Sequence, residues 1–331
     1  GPAGLAAAVT SAERGHNVTL FEMSEQIGGQ FNLARRIPGK EDYSETIGYY
    51  GARLSELGVE VRLGALAGPQ ELIAAAYDHV ILATGVEPRT LDSVGVDGAI
   101  FVNAFSMYQY DSSFAEEVQR AHPGKFGLVK PVDPSDPAVA DVIADWKKTP
   151  GTVGLRVRLT HGLERAADDP SLDVILHEAV RHNFPINLLS WGKLDVGAAL
   201  IDRHPNVQFV LDHLGLLQPH DPPAPPEPWA DLPKVLDLAK RPNAVIKVSG
   251  ACTLSREPFP FPDIWDPLAR VFDAWGMDRC LWGTDWTRAH AVVNYEQAVE
   301  PFRLTDRLSD SDRAMLMGGA CAKIYGWAPE S

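Results

Sequence analysis

From residue 99 onward the chain repeats one pattern: a short apolar run with β-branched content, then a stretch of helical periodicity. The runs fall at 99–103, 126–130, 153–159, 185–189, 207–212, 244–248 and 280–283. Helical patterns lie at 112–121, 135–147, 171–182, 195–203, 232–240, 263–275, 293–302 and 310–317. Strands alternating with helices run parallel, because each helix carries the chain back to the end where the next strand starts. Repeated this often, the pattern predicts an α/β fold, a (β/α)8 TIM-like barrel lacking one strand. The lacking strand is the first, since 320–327 reads as a closing helix, so the runs take barrel positions two to eight. The Pro-rich stretch 219–228 follows the sixth position and reads as a long loop on the catalytic rim.

The first ninety or so residues follow another logic. Residues 2–14 read as a helix of small apolar residues ending near Gly15, and His16-Asn17-Val18-Thr19-Leu20-Phe21-Glu22 reads as a buried strand ending in an acid. A Gly-rich turn, helix, strand and terminal acid make a dinucleotide-binding unit. Its glycines let backbone approach a pyrophosphate, the helix N-terminus faces the negative charge, and the acid takes a ribose hydroxyl. Gly1 stands where the middle glycine belongs, Gly4 is the third, and Glu22 is the acid. The strand before the turn is not in the chain, so the unit is a partial Rossmann-like one. The expected domains are 1–90 and 91–331. No Gly/Ser linker joins them, and the junction reads as two folds cut mid-element, a gene-level accident or an assembly error. The chain opens on Gly1, not Met, which fits a fragment or truncated reading frame. A second arrangement inserts 80–83 as the barrel's first strand; that run is apolar, but His79 is its only histidine and stands at the wrong end.

Composition bounds the partners. Net charge is −14 with a pI near 5.1, which argues against nucleic acid or an anionic membrane, since both select basic surfaces. Cys252, Cys280 and Cys321 are unclustered and fit core thiols in a reducing, cytoplasmic setting. No apolar run approaches the ~18 residues of a spanning helix.

In a parallel barrel the active groups stand at the C-terminal strand ends. Position two ends in Asn103-Ala104-Phe105-Ser106. Position four carries Arg156 and Arg158, followed by His161. Position five ends in Ser190-Trp191, six in Asp212-His213, seven in Lys247-Val248-Ser249, and eight in Thr284-Asp285-Trp286. An imidazole and a carboxylate at positions six and eight suit hydrolysis: Asp285 takes a proton from water and His213 polarises a carbonyl. Arg156 suits a carboxylate on the substrate through bidentate pairing, and one of Arg156 and Arg158 is expected to face the helices. His177, His182 and His204 read as surface or capping groups on helices. Ser106 and Ser190 have no base placed beside them. Tyr108 and Tyr110 read equally as rim or packing residues, and Trp282 and Trp286 as core and wall.

Two resemblances follow from these motifs. GPAGLAAAVTSAERGHNVTLFE, IGGQFNLARRIPGKE and ILATGVEPR resemble the FAD-binding part of the 2,4-dienoyl-CoA reductase and NADH:flavin oxidoreductase family over about 1–90. The resemblance implies flavin contacts from Gly1, Gly4, Glu22, Gly29, Gln30 and Gly85; that family's flavin barrel, iron–sulfur cysteines and second nucleotide domain have no counterpart here. Residues 91–331 resemble the amidohydrolase-related TIM-barrel hydrolases, in the branch of 2-pyrone-4,6-dicarboxylate lactonase. The carrying stretches are LDSVGVDGAIFVNAFSMYQYDSSF, HPGKFGLVKPVDPSDPAV, GTVGLRVRL, HPNVQFVLDHLG, IKVSG and CLWGTDW. This implies His213 and Asp285 as catalytic histidine and aspartate, with Arg156 at the matching arginine. The family's first-strand H-x-H pair is absent, and the fifth position carries no metal ligand. His213 and Asp285 supply two ligands where zinc needs three or four, so a divalent metal is not expected.

The first expected function is therefore hydrolysis of a lactone or amide of a small carboxylated compound, impaired by the lacking first strand. The alternatives are a flavin-dependent oxidoreductase fragment binding FAD, and a non-catalytic hybrid.

Overall fold

The computed structural model describes residues 1–85, 96–160 and 162–330. The chain divides into two compact units, Gly1–Val94 and Gly95–Ser331.

In the first unit, α1 (Pro2–Glu13) starts with Pro at its first turn, where a missing N–H costs nothing. It leads to β1 (Thr19–Phe21), α2 (Phe31–Ala34), α3 (Tyr43–Glu56), β2 (Glu60–Arg62) and α4 (Pro69–Ala74). β1 and β2 pair in parallel, Leu20 opposite Val61. Leu5, Ala8 and Val9 of α1 and Leu54 of α3 meet Val59 in a small core. Residues 80–83 form no strand, and Val80, Ile81 and Leu82 are 50%, 64% and 80% exposed. A continuous apolar run makes a central strand only where both faces are covered. Here Ala83 alone of the four is half-buried, across from Gly4, at which an added Cβ would lie 3.5 Å from that of Ala83. The expectation that 80–83 supplies a barrel strand is therefore overturned.

The second unit is built on seven parallel strands: β3 (Ala99–Val102), β4 (Phe126–Pro131), β5 (Thr152–Arg158), β6 (Ile186–Leu189), β7 (Phe209–Leu211), β8 (Ala244–Ser249) and β9 (Cys280–Gly283), paired in sequence order. The sheet curls into an open half-barrel; among the described residues β3 pairs only with β4, and β9 only with β8. Between β3 and β4 lie α5 (Phe105–Tyr108) and α6 (Ser113–Ala121). One helix fills each later gap: α7 (Val139–Lys148), α8 (Pro170–His182), α9 (Leu194–Arg203), α10 (Leu232–Leu238) and α11 (Trp265–Trp275). After β9 come α12 (Trp286–Ala289), α13 (Tyr295–Arg303), α14 (Asp310–Ala314) and α15 (Ala320–Tyr325).

The period-two alternation of each strand sorts its side chains. Leu128, Leu155, Val157, Ile186, Leu188, Phe209, Leu211, Ile246 and Val248 join the main core, with Ile143, Leu172, Ile175, Leu200, Val235 and Leu268 from the helices. Their neighbours in sequence, Val129, Val210 and Val245, belong to a second cluster with Leu281, Ala320 and Tyr325, packed by Cys321, Ile324 and Trp327. The closing helix thus covers the inner side of the half-barrel. Two glycines make room for it. A Cβ at Gly127 would stand 3.1 Å from the Trp327 ring, and one at Gly154 would stand 3.4 Å from the Tyr325 ring. The Tyr325 hydroxyl donates to Asn187 Oδ1 on β6 at 2.8 Å. Cys252 and Cys280 are buried and Cys321 partly so, all as free thiols. Among the described residues no helix is long and apolar enough to cross a membrane.

Candidate active site

The C-terminal ends of β5, β7, β8 and β9 bring one charged cluster together. β7 stops at Leu211, short of the expected 212, because His213 and Leu214 turn into the left-handed region at φ 53° and 59°. Asp285, directly after the Thr284 that follows β9, does the same at φ 52°. Such backbone costs of order 1 kcal/mol or more per non-glycine residue and persists where surrounding structure enforces it, often at functional sites. Each turn swings its side chain off the strand line, and the two meet: His213 Nδ1 lies 3.4 Å from Asp285 Oδ2 and 2.9 Å from Ser249 Oγ.

Behind the imidazole stands a fully buried carboxylate. Asp212 accepts from Arg156 Nε at 2.8 Å and pairs with Lys247 Nζ at 2.9 Å. Burial works to raise its pKa, but Arg156 and then Lys247 outweigh burial and hold the carboxyl well below its ordinary range. Asp212 is thus a permanent anion that anchors two cations.

The partners of His213 fix its proton. A guanidinium has donors only, and Arg156 Nη2 lies 3.5 Å from Nε2; a carboxylate has acceptors only, and Asp285 faces Nδ1. The neutral ring with its proton on Nδ1 satisfies both. Burial, reinforced by Arg156 and Lys247 and opposed by Asp285 and Asp212, pushes the His213 pKa down to about 4. The ring is neutral at neutral pH, with the Nε2 lone pair turned toward Arg156. The indole of Trp191 covers it, ring centroids 5.4 Å apart.

Beside this cluster lies a shallow depression lined by Tyr110, Pro131, Arg156, Arg158, Leu163 and Arg165, among others, with a cavity volume of about 10 Å³. Arg156 and Arg158 both line it. Residues two apart on a strand share a face, which corrects the expectation that one of them faces the helices. Arg158 stacks on Phe105 at 4.0 Å from the ring centroid, and its buried Nε has no hydrogen-bond partner among the described residues. Burial, then Arg156, lowers the Arg158 pKa. Burial raises that of Tyr110, with Asp133 adding to it.

Arg288 and Gln218 were not singled out from sequence. Arg288 Nε donates to Asp285 Oδ2 at 2.5 Å, and its other nitrogens reach Gln218 Oε1 and the Pro219 carbonyl. The spacing Asp285-x-x-Arg288 was a usable signal, since i and i+3 meet on one helical turn. Gln218 had none. Of the remaining candidates, Asn103 is buried and donates to the Asp111 carbonyl at 2.7 Å, and Ser106 is exposed. Tyr108 stacks on Phe114 at 5.3 Å. Ser190 is buried with no partner for its hydroxyl among the described residues. Trp282 packs on Phe302 and Trp286 on Tyr295. His177 is exposed, while His182 and His204 pair with Glu178 and Asp173 on helix surfaces. His161 lies outside the described residues.

In the first unit, Gly1, Glu22 and Gly29 converge. The Gly1 amino group donates to Glu22 Oε2 at 3.1 Å, and a Cβ on Gly29 would stand 2.6 Å from Gly1 Cα. Gln30 and Gly85 are exposed near neither group's contacts.

The family model described as amidohydrolase matches residues 66–327. The chain belongs to the amidohydrolase family. A NAD(P)-binding Rossmann-like domain model matches residues 1–60, so a Rossmann-like segment precedes the amidohydrolase match. NADH oxidase from Thermoanaerobacter brockii is 42% identical over 111 residues, 34% of this chain and 17% of that protein. L-fucono-1,5-lactonase from Burkholderia ambifaria is 27% identical over 172 residues, 48% of this chain and 55% of that protein. The chain thus spans about a sixth of the first relative and just over half of the second. The crystal structure of an amidohydrolase from Burkholderia multivorans with bound zinc superposes with a TM-score of 0.62 at 24% identity, covering 72% of this chain and 86% of that one. The oxidoreductase likeness is confined to the N-terminal segment.

Among the described residues no three His, Cys, Asp or Glu side chains gather as a metal site. Asp285 is engaged by a guanidinium, and His213 Nε2 faces another. Guanidinium groups thus stand against both candidate ligands.

Proposed function

We propose that the protein hydrolyses a lactone or amide bond in a small compound that carries a carboxylate. The observation that carries this reading is the setting of His213, with an acceptor at Nδ1 and a cation at Nε2. The Nε2 lone pair takes a proton from water while Nδ1 faces Ser249 Oγ at 2.9 Å and Asp285 Oδ2 at 3.4 Å, and the carboxylate steadies the imidazolium that forms. The hydroxide adds to the carbonyl carbon. Arg156, beside Nε2, is close enough to meet the oxygen on which charge builds. As the C–O or C–N bond breaks, the imidazolium returns its proton to the leaving atom, so the products are a carboxylic acid and an alcohol or amine. This reading takes His213 as the base in place of Asp285, expected from sequence, because Arg288 sits on Asp285 Oδ2 at 2.5 Å while Arg156 stands back from His213 Nε2 at 3.5 Å. Arg156, Arg158, Lys247 and Arg288 outnumber the carboxylates Asp212 and Asp285 at these strand ends, and the surplus positive charge favours an anionic substrate. None of these residues belongs to a first barrel strand.

The test is acid release from L-fucono-1,5-lactone and from lactones bearing a ring carboxylate, for wild type and Asp285→Asn. The variant is expected to be slower by about a hundredfold or more, since the amide favours the wrong imidazole tautomer. Equal rates would remove Asp285 from the mechanism. For the first unit, the convergence of Gly1, Glu22 and Gly29 supports a second reading, retention of a dinucleotide such as FAD.

A further inference from the structure

Three strand ends are tied together by two side chains that the proposed chemistry does not consume. Gln218 Nε2 donates to the Ser249 carbonyl at 2.9 Å and to the His213 carbonyl at 3.2 Å. Its Oε1 accepts from Arg288 Nη2 at 2.5 Å, and the Pro219 carbonyl accepts from Nη1 at 2.5 Å. The remaining nitrogen, Nε, is on Asp285 Oδ2 at 2.5 Å. The Arg288 side chain is 8% exposed and lies 5.9 Å from the Trp191 ring centroid, the same indole that covers His213. Gly250, at φ 67°, passes so close that a Cβ there would collide with Gln218 Oε1 and Arg288 Nη2. A buried guanidinium held at all three nitrogens does not swing to meet substrate. It holds something still.

We propose that Arg288, seated by Gln218, is a positioning residue of the site. It keeps Asp285 Oδ2 against His213 Nδ1, so that the imidazole proton stays on Nδ1 and Nε2 remains the acceptor. This inference rests on the hydrolytic reading of His213. The other groups facing the ring are Arg156 from β5, Asp212 from the end of β7, Lys247 and Ser249 from β8, and Trp191. Arg156, with donors only, favours the same tautomer from the Nε2 side, and Ser249 donates or accepts equally well, so Asp285 is the group that favours the proton on the Nδ1 side. Without Arg288 the Asp285 carboxylate loses its fixed cation, is free to turn, and attracts a second proton to the ring more strongly.

The experiment uses the full chain with ¹⁵N-labelled histidine, with His213→Asn to assign the ring signals. Ring shifts report the tautomer and their pH dependence the titration midpoint. Wild type is expected to hold the Nδ1–H form. Arg288→Gln is expected to show mixed tautomers and a midpoint moved upward, with kcat on a hydrolysed lactone down about ten- to hundredfold and KM within about twofold. Arg288→Lys, which keeps the charge and loses the fork, is expected to fall between them. If Arg288→Gln does not fold, Gln218→Ala loosens the seat with all charges intact and is expected to mix the tautomers as well. A ring that stays Nδ1–H with its midpoint unmoved in the folded variant overturns the proposal. Ring changes as expected in a wild type that hydrolyses no lactone sink the hydrolytic reading and leave the clasp standing. Lactone hydrolysis by a wild type whose ring ignores Arg288 does the reverse.

Discussion

His213 shows how one buried side chain ties stability to pH. In an unfolded chain an imidazole binds its proton near pH 6.5; in the folded protein burial lowers that to about 4. Between those values the unfolded state holds more protons, so stability is fully present above pH 6.5 and is lost as pH falls toward 4. The gap corresponds to about 3 kcal/mol. Urea midpoints at pH 7 and pH 4.5 are expected to drop less in His213→Asn than in wild type. An equal drop would mean that the ring is not buried neutral. His204, also lowered mainly by burial, contributes with the same sign to both proteins, so the difference isolates His213. His213 and Asp285 were legible as candidates because each stands just past the end of an apolar run, where a parallel barrel exposes its chemistry. Their partners were not. Gln218 and Arg288 are seventy positions apart, and no local pattern marks a glutamine as the seat of a distant arginine.

The elements show the same division. Each expected strand of the larger unit formed within a residue or two of its apolar run, because alternation and β-branching are local properties. The ends were set by contacts. β7 closes early where His213 turns left-handed, and the expected helix over 310–317 breaks at Met315–Gly319, where the chain takes a wider π-turn before α15. The inner cover is a tertiary product as well: nothing in Gly127 or Gly154 alone announces that aromatic rings fill the space above them. Tyr325→Phe tests this cover. It removes the donor to Asn187 Oδ1, an atom of a side chain with no exposure and an already unpartnered Nδ2 among the described residues. A loss of about 1–2 kcal/mol is expected from chemical denaturation. A neutral result would show the hydroxyl to be dispensable and the ring alone to seal the floor.

At the scale of the whole molecule, the described residues form one small hydrophobic cluster around Leu5 and Leu54 in the first unit and two on the half-barrel sheet of the second. Units with separate cores need not unfold together. Calorimetry is expected to show more than one transition, and added FAD to raise only the one that belongs to the first unit, by preferential binding to its folded state. A single transition indifferent to FAD would count against both separate cores and a retained dinucleotide site. By itself the sequence determined the periodicities: the parallel strand–helix repeat, the Rossmann-like opening, and the strand ends where His213, Asp285 and Arg156 stand. These depend on spacings along the chain. Only the tertiary structure decided that residues 80–83 form no strand, that Arg156 and Arg158 share one recess, and that Arg288 claims Asp285. Those outcomes depend on which groups are buried beside which, and burial is decided by every strand and helix at once.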